Sequence, residues 1–568
     1  MRFRAGSGRN EAQRACQKKR DQRAMPNSAP TLAVFRNRTF RSLWIATLAS
    51  NFGGLVQSVG AAWTMTNLTS SQSMVALVQT SVTLPIMVFS LTAGVFADNF
   101  DRRKIMLWAQ CFMCAVSVIL ALLAYHGFLT PWLLLSFTFL IGCGTAMHNP
   151  SWQASVGDIV TREELPAAVS VNSMGFNLMR SVGPAAGGAI VAIAGAAAAF
   201  AVNALSYVAI IAALFHWHPN HAPRRLPPEM FAGAFAAGLR YVAMSPNLLR
   251  VIARSFVFGL SAIACQALLP LVVREHLEGN AIVYGVLLGA FGFGAVLAAL
   301  ANSQLRARFH NERITRMGFL GFAISMVTLA FSSHYIPSAL ALLLSGFCWV
   351  ICLSLFNVTV QLSTPRWVVG RVIALYQTSV FAGMAAGSWM WGAISDNLGL
   401  SIALIGATGV LVFGSAIGLV APLPDSGDLN LDPLNRFREP PLQLDITHRS
   451  GPIMVLVDYR IAQENVARFL ALMSKRRKVR IRDGAQQWAL LRDLEDPDNW
   501  TETYHVPTWV EYIRHHERRT QSDAEVSDAL LALHEGPEPV RVHRMIERQT
   551  VPAQDNTPRK PRDLPPTN

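Results

Sequence analysis

The chain has 568 residues, of which 52% are hydrophobic and only 15% are charged, and its formal net charge is +14. Soluble globular proteins carry about 25% charged residues, so the composition excludes an ordinary soluble protein. The basic balance favours a membrane surface over nucleic acid, because Lys and Arg beside apolar segments set orientation in a bilayer. All seven cysteines lie at or before Cys352, and those inside apolar runs are better interpreted as small packing residues than as metal or redox sites.

Residues 1–35 are basic and lack apolar periodicity, so we predict that they are disordered, and Met25 is a candidate for the true start. Between that region and residue 421, twelve apolar segments approach the ~20 residues that a helix needs to cross a bilayer. The segments are 43–65, 74–97, 105–125, 131–150, 167–194, 197–217, 251–273, 281–301, 317–333, 337–359, 372–395 and 400–421.

We therefore predict an all-α polytopic membrane protein with 12 transmembrane helices in two six-helix halves. The halves are 36–217 and 246–421, and a loop at 218–245 joins them. Lys and Arg concentrate at one set of helix ends, whereas the opposite set carries only Arg274. Because basic loops remain inside, both termini are expected in the cytoplasm, and the expected location is a bacterial inner membrane.

A constant spacing of 204 residues relates the two halves. It places Asp98 on Asn302 and Arg102 on Arg306. It also pairs Gly142 with Gly346, Gly183 with Gly387, Gly188 with Gly392, and Gly195 with Gly399. Such a repeat predicts two halves in the same orientation around a cavity near the bilayer midplane.

After the last apolar segment the composition changes. Residues 422–451 form a proline-rich, polar linker without periodicity. Residues 452–549 follow the order β-α-β-β-α-β, which is typical of a ferredoxin-like module, so an α+β unit is expected there. Residues 550–568 are expected to be a disordered tail.

The stretch "GVFADNFDRRK", residues 94–104, places charges between two apolar runs. In one interpretation it is only a cytoplasmic loop whose Arg and Lys set orientation. In the other, Gly94 lets two helices approach, and the Asp98 carboxylate pairs with Arg102 or Arg103 and with the positive N-terminus of a neighbouring helix.

This stretch resembles the loop signature between helices two and three of the major facilitator superfamily of transporters. The resemblance implies a latch that favours the outward-open state and breaks as the carrier opens inward. Asn302 replaces the acid in the second half, so that half is not expected to have a full latch. The implied latch consists of Gly94, Asp98, Arg102 and Arg103, with Gly370 and Arg371 at the start of the eleventh helix as partners.

The fifth apolar segment contains Gly183, Pro184, Gly187 and Gly188. These residues would bend the helix and bring backbones close, which could be purely structural. The pattern also resembles the fifth-helix signature of major facilitator exporters that work as antiporters, and this resemblance favours export.

Arg180 lies near the middle of the same segment, where an arginine costs at least ~2.5–3.5 kcal/mol on insertion scales. No Asp or Glu occupies the middle of any segment, so an unpaired cation facing a cavity would favour anionic or catecholate-like substrates. The alternative is a structural arginine bonded to carbonyls and water. Further cavity candidates, each equally explained as an interhelical contact, are Asn177, Asn51, Gln57, Gln266, Asn357 and Gln361.

A buried acid for proton coupling is not evident in the sequence. His148 could titrate instead, although helix packing is the alternative, so a proton as coupling ion remains an expectation from the family. A Gly-x-x-x-x-Gly-Lys-Ser/Thr phosphate cradle is not found in the sequence. Transport is therefore expected to run on a gradient, and we expect no cofactor.

The tail resembles the antibiotic-biosynthesis-monooxygenase-like domain in "DGAQQWALLRDL" and "ETYHVPTWVEYIRHHER". Together with the membrane part it resembles the transmembrane-secretion-effector group, which includes enterobactin-exporter-like proteins. The resemblance leaves catalytic, ligand-sensing and dimerising roles open, and His505, His515 and Trp509 could simply be packing residues.

We predict a secondary active transporter, not an enzyme, that exports a small organic molecule such as a siderophore or a drug. Its partners are the substrate, the lipid bilayer and, through the module, a second copy of the chain; no nucleic-acid partner is expected. Two alternatives remain: an uptake carrier of the same fold, and a membrane-anchored sensor or oxygenase acting through the module.

Overall fold

The computed structural model describes residues 33–99, 101–161, 164–217, 231–424, 431, 434 and 436–547. Only the backbone is described at 90, 91, 93–99, 154, 157, 158, 165, 166, 231, 232 and 234. The predictions for Met25, for the N-terminal residues up to 32 and for the tail 550–568 therefore lie outside the described residues.

The first half consists of long helices whose starts are set by polar caps. The Asn37 side chain accepts from the amides of Thr39 and Phe40 at 3.0 and 3.2 Å, which begins α1. Thr130 caps α4 in the same way. The bounds are α1 (Arg38–Leu68), α2 (Gln72–Asn99), α3 (Arg102–Tyr125) and α4 (Pro131–Ile159), with α5 and α6 sharing the run Leu165–His216.

The second half repeats this arrangement after the short helix α7 (Phe231–Ala243), which follows the undescribed part of the loop between the halves. Asn280 caps α9, accepting from Ile282 and Val283. The bounds are α8 (Pro246–Leu271), α9 (Ala281–Arg308), α10 (Asn311–Phe331), α11 (Tyr335–Leu362), α12 (Val369–Leu398) and α13 (Leu400–Val420).

Two glycines mark the same position in each half. Gly195 separates α5 from α6 with φ of +78°, and Gly399 separates α12 from α13 with φ of +98°. Positive φ is strained for other L-residues, so glycine allows the chain to reverse direction here. Because Gly399 follows Gly195 by the spacing of 204, the repeat appears in the backbone as well as in the sequence.

Nine helical runs in the described part of the chain are long and apolar enough to cross a membrane, and one of them, Ala167–His216, contains both α5 and α6. Helices α1 and α12, of 31 and 30 residues, are not among these runs. Large apolar side chains such as Trp108 and Ile193, 79% and 83% exposed, point outward from the bundle. A bundle with such a surface is suited to lipid rather than water.

The halves meet along glycine-lined contacts between α5 and α9 and between α2 and α12. A Cβ on Gly188 would lie 2.9 Å from the Cα of Gly285, and a Cβ on Gly392 would lie 3.0 Å from the Cα of Ser73. Gly392 follows Gly188 by 204 residues, so the two contacts are related by the repeat. Small residues are needed here because no side chain fits between the backbones.

The C-terminal module contains a four-stranded antiparallel sheet in the order β2-β3-β1-β4. Its strands and helices follow the predicted β-α-β-β-α-β order, with two short helices in the second helical position. Alternate residues of β1, including Val455 and Val457, face the module's core. The bounds are β1 (Ile453–Arg460), α14 (Val466–Asp483), β2 (Gln486–Arg492), β3 (Asn499–Val506), α15 (Trp509–Glu517), α16 (Gln521–Leu531) and β4 (Arg541–Ile546).

The module contacts the bundle at one end. The Arg240 Nε donates to the Arg482 carbonyl at 3.2 Å, and the Arg518 guanidinium lies 4.7 Å from the centre of the Trp367 ring. We call this end of the bundle the module end. The opposite end, which carries residues 69–71, 126–130 and 277–280, is called the far end.

The close packing of α5 against α9 requires a glycine at position 292. A Cβ there would lie 2.6 Å from the Ser181 Cα and would press on the Arg180 carbonyl. We expect Gly292→Ala to lower the midpoint of thermal unfolding in detergent, because overpacking typically costs about 1–3 kcal/mol. Gly409→Ala on α13 is the control, since its Cβ would meet nothing within 4 Å. Equal midpoints for the two variants would contradict the contact.

Candidate functional site

At the far end, an acid from the second half caps a helix of the first half. The Asp396 carboxylate accepts from the backbone amides of Gln72 and Ser73 at 2.5 and 3.0 Å, and from the Ser71 hydroxyl at 3.0 Å. These amides are the free donors at the N-terminus of α2, where a negative charge is favoured. Asp396 therefore links α12 to α2 across the interface between the halves.

The Gln72 side chain adds a second link at the same place. Its Nε2 donates to both oxygens of Glu275 at 3.0 and 3.1 Å, and its Oε1 accepts from the Ser395 hydroxyl. Glu275 follows α8, so three helical regions converge on one glutamine. The far end is closed by hydrogen bonds in the described conformation, and sequence reasoning missed this because Glu275 and Asp396 looked like ordinary helix-end acids.

The implied latch lies at the module end and is only partly described. Arg103 donates to the carbonyls of Leu214 and Phe215 at 2.9 and 2.8 Å, so it caps the C-terminus of α6. Arg371 lies against α7, since a Cβ on Gly238 would be 2.9 Å from the Arg371 Cβ.

Other positions of the implied latch give less information. Only the backbone is described at Gly94 and Asp98. A Cβ built on Gly370 would meet no atom within 4 Å. Arg102 begins α3, directly after the capping residue Asp101. Asn302 donates to Ser354 at 2.9 Å, which joins α9 to α11 within the second half. The latch itself thus remains a prediction.

The fifth-helix motif serves two neighbours at once. Gly183 and Gly187 face α1, where their Cβ atoms would lie 2.9 and 3.0 Å from Leu55 and Val56. Pro184 and Gly188 face α9 at Gly285. The motif therefore places α5 in contact with helices of both halves. Arg180 lies on the same helix, just before the motif.

Arg180 projects from α5 towards aromatic side chains of the second half. Its guanidinium lies 5.2 Å from the centre of the Phe291 ring on α9 and 5.8 Å from that of Trp349 on α11. A cation over an aromatic face gains about 0.5–2 kcal/mol, more when it is shielded from water. Arg180 is half-buried, and its side chain is not seen to donate a hydrogen bond to any described residue.

Two of the predicted cavity residues of the first half lie near the level of Arg180 in the bundle. Asn51 lies at its depth, because Leu48 and Leu55 of α1 contact Gly175 and Gly183 of α5. Asn177 lies one turn from Arg180 towards the module end and is half-buried.

On α11, Gln361 donates to Asn357 at 2.5 Å, and both lie on the module side of Trp349. Asn357 is half-buried and Gln361 is exposed. Polar side chains from both halves thus follow Arg180 towards the module end.

Other candidates belong to packing contacts inside a half. Gln57 is buried and accepts from Ser117 and Asn203, which joins α1, α3 and α6. His148 is buried against Gln110 at 3.2 Å. Gln266 on α8 differs, because its Nε2 is buried and finds no hydrogen-bond partner in the described part of the chain.

Sequence reasoning also missed a buried ion pair. Arg254 on α8 is 2% exposed, and its Nη1 donates to Glu312 of α10 at 2.6 Å. The same Glu312 oxygen accepts from the amide of Leu423 at 2.9 Å. The pair ties α8, α10 and the end of α13 together at the module end, and the spacing of residues along each helix gave no sign of it.

Two surface grooves lie away from Arg180. One lies between α3 and α4, where Trp108 and Phe112 line it, and the other lies between α1 and α6. Both grooves are on the outside of a single half, where the exposed side chains are apolar or small. Their position suits lipid contact rather than a passage between the halves.

Helical halves related by a repeat, with a polar interface closed at one end, define a membrane transporter of the major facilitator type. A family model described as transmembrane secretion effector matches residues 29–551, which includes the module. The chain belongs to this family. It is a secondary transporter for small molecules and not an enzyme.

Curated relatives are similar at low identity. The Enterobactin exporter EntS of Citrobacter koseri is 26% identical over 71% of this chain and 94% of its own length. Macrolide efflux protein A of Streptococcus pyogenes is 21% identical over 68% of this chain and 95% of its length. The Staphyloferrin A transporter of Staphylococcus aureus is 24% identical over 44% of this chain and 62% of its length.

Solved structures share the fold. A bacterial homologue of the human lysosomal transporter Spinster, inward-facing and unoccupied, matches with a TM-score of 0.56 at 14% identity. It covers 68% of this chain and 97% of that chain. The POT family transporter PepTSo gives a TM-score of 0.55 at 12% identity over 68% and 97%. These likenesses support the transporter fold of the membrane part alone.

The Asp396 cap should control opening of the far end. Asp396→Ala removes three hydrogen bonds to a charged acceptor, each worth about 1.5–3 kcal/mol, so the open fraction should rise at least roughly tenfold. Distances between spin labels at residues 126 and 333, in a cysteine-free background, report this opening. Asn397→Ala is the control, because Asn397 bonds only within its own helix, to Ala393. An unchanged distance distribution in the Asp396 variant would refute the role.

Proposed function

We propose that the protein exports a small, anionic or electron-rich organic molecule across a bacterial inner membrane by alternating access. The chain would span the membrane 12 times, with the module end and both termini in the cytoplasm. The far end would then face outward. The described conformation, closed by Asp396 and Gln72 at the far end, corresponds in this proposal to an inward-facing carrier.

Arg180 carries the substrate hypothesis. It is a cation between the halves whose described neighbours are two aromatic rings, Phe291 and Trp349. An acid to neutralise it is not seen among the described side chains, so a substrate carboxylate or catecholate would supply the missing charge. The two flat rings, whose centres are 5.9 Å apart, would favour an aromatic or unsaturated substrate body.

The neighbouring polar groups define where the rest of the substrate would lie. Asn51 at the depth of Arg180, with Asn177 and Asn357 on the module side, offers amides that both donate and accept. A molecule entering from the module end would meet Gln361 first and Arg180 last. Binding to side chains from both halves would draw the halves together at that end.

The exchange of states would follow from two competing sets of contacts. Closing the module end would form the implied latch of Gly94, Asp98, Arg102 and Arg103 against Gly370 and Arg371. Opening the far end would release the α2 amides from Asp396. A proton as coupling ion and dimerisation through the module are parts of the proposal that rest on the family resemblance alone.

The substrate class is supported by the relatives' names. Two are described as a siderophore exporter or transporter and one as a macrolide efflux protein. Siderophores are rich in carboxylates or catecholates, which are the groups that an arginine binds best. We therefore place siderophore-like molecules ahead of macrolides for this chain.

Efflux by cells that express Arg180 variants tests the proposal. For an anionic substrate, Arg180→Gln should raise the concentration needed for half-maximal efflux at least roughly tenfold, because a charge-assisted bond of about 1.5–3 kcal/mol is lost. Arg180→Lys should retain part of the activity, and exposed Arg250→Gln on α8 should retain all of it.

The panel should contain siderophores and macrolides, and each protein's amount in the membrane must be measured. Equal efflux by wild type and Arg180→Gln would remove Arg180 from the site. Accumulation of the labelled substrate inside cells, instead of its loss, would support the uptake alternative.

A further inference from the structure

The C-terminal module contains a polar cleft that the transport mechanism does not use. It lies between α14 and the two short helices α15 and α16, is partly open to solvent, and is narrow, with an interior volume of about 10 Å³. That volume has room for about one water molecule. Its lining is unusually rich in arginine for so small a space. The lining residues are Arg476, Val479, Arg480, Asp483, His515, Arg519, Asp523, Val526 and Ser527.

Two of the arginines share one acid. Glu502 on β3 is fully buried and accepts from Arg476 at 2.8 Å and from Arg480 at 3.0 Å. Trp488 donates to the same carboxylate at 3.1 Å. Although burial would raise it, the two arginines hold the pKa of Glu502 well below its ordinary value, so this acid is charged and has no capacity for another cation.

The acids of the cleft are also committed. The Arg482 guanidinium binds Asp483 at 2.9 Å and Asp523 at 2.8 Å, and Asp523 also accepts from the Thr520 hydroxyl and amide. Burial raises the pKa of Asp483 to about 6, and Arg482 opposes this shift. In the described part of the chain both acids pair with Arg482, and neither forms an ion pair with Arg519.

Arg519 has no carboxylate bonded to it, although the Asp483 charge acts on it from a longer distance. Its guanidinium forms no hydrogen bond or ion pair with any residue that the structure describes, although it lines the cleft. Burial and the neighbouring Arg480 and Arg476 lower its pKa to about 10. A partly buried cation beside two others is costly unless a negative group approaches it.

His515 provides a second unused group in the same cleft. It is 1% exposed, and its Nε2 lies 3.0 Å from the Arg480 Nη1, which can only donate. The ring proton must therefore be on Nδ1. That N–H is buried and has no acceptor in hydrogen-bond geometry within the described residues, although the Asp483 backbone lies close enough to act on the ring.

We propose that this cleft binds a small oxyanion, a carboxylate or phosphate group, between Arg519 and His515, with Arg480 and Arg476 behind it. Both residues line the cleft, neither side chain has a described acceptor in hydrogen-bond geometry for the groups named above, and the acids nearby are held by other arginines. An oxyanion satisfies both donors with charge-assisted hydrogen bonds and neutralises the excess positive charge. This site lies in the module and is separate from Arg180.

The cleft also adjoins the contact with the bundle. Asp483 lines the cleft, and its carbonyl accepts from Arg518 at 2.9 Å, while Arg518 stacks on Trp367 ahead of α12. A Cβ built on the next residue, Gly484, would lie 3.5 Å from the Arg240 Nη2 of α7. A bound oxyanion would thus lie one residue away from the surface that holds the module to the carrier.

Binding is tested on the full-length protein in detergent, with inorganic phosphate and succinate as separate probes at constant ionic strength set by chloride. Calorimetry should show saturable binding of at least one probe, with a dissociation constant on the order of a millimolar or tighter, and that probe should raise the thermal midpoint. Phosphate alone, succinate alone, or both binding would identify the preferred oxyanion. Absence of saturable binding for both probes would overturn the proposal.

Arg519→Gln should weaken binding at least roughly tenfold, and Arg519→Lys should weaken it less. Without the probe, the thermal midpoint of Arg519→Gln should equal or exceed that of wild type, because like-charge repulsion is removed. A lower midpoint would show a structural arginine and would refute the proposal, as would unchanged binding. Exposed Arg541→Gln and the transport-site variant Arg180→Gln should both bind as wild type does, which separates this site from the proposed substrate site.

Discussion

Close backbone contact between the two halves is the constraint on which the rest of the structure depends. In lipid, apolar surface gains nothing by leaving its surroundings, so helices associate through packing and hydrogen bonds. Here α5 meets α9 through Gly188 and Gly285, and α2 meets α12 through Gly392. At these glycines the contact surface is smooth, because no side chain stands between the two backbones. At such a contact, helices can slide past each other without a side chain first leaving a pocket in the opposite helix.

The placement of polar groups follows the same division. Bonds inside a half are buried, as in the contact of Gln57 with Asn203 and the ion pair of Arg254 with Glu312. Breaking them would leave polar atoms without water, which costs about 1–3 kcal/mol or more for each group. The bonds of Asp396 between the halves are exposed instead, so water replaces them when they break. Each half is therefore held together by buried bonds, whereas the bonds of Asp396 between the halves are ones that water can replace.

How much the sequence predicts depends on whether the signal is local. The twelve apolar segments, the repeat of 204 residues and the break at Gly195 all follow from composition or spacing, and the structure has long helices at each segment. The order of strands and helices along the module also agrees with the order predicted from the sequence. By contrast, Arg254 pairs with Glu312, which is 58 residues away in the sequence. Asp396 caps α2 from more than 320 residues away. Such partners are chosen by the packing of helices, which no local pattern records, and the same is true of Arg180 facing Phe291.

In the C-terminal module, too, the buried contacts inside the unit differ from its contacts with the bundle. Several of its internal charges are buried and paired, with Glu502 held by two arginines and Arg482 by two acids. Among the described residues, its contact with the bundle includes a hydrogen bond from Arg240 and arginines over the rings of Tyr241 and Trp367. Cation–π contacts near water contribute only about 0.5–1 kcal/mol each. The described contact of the module thus lies at α7, in the segment that joins the halves, and just before α12.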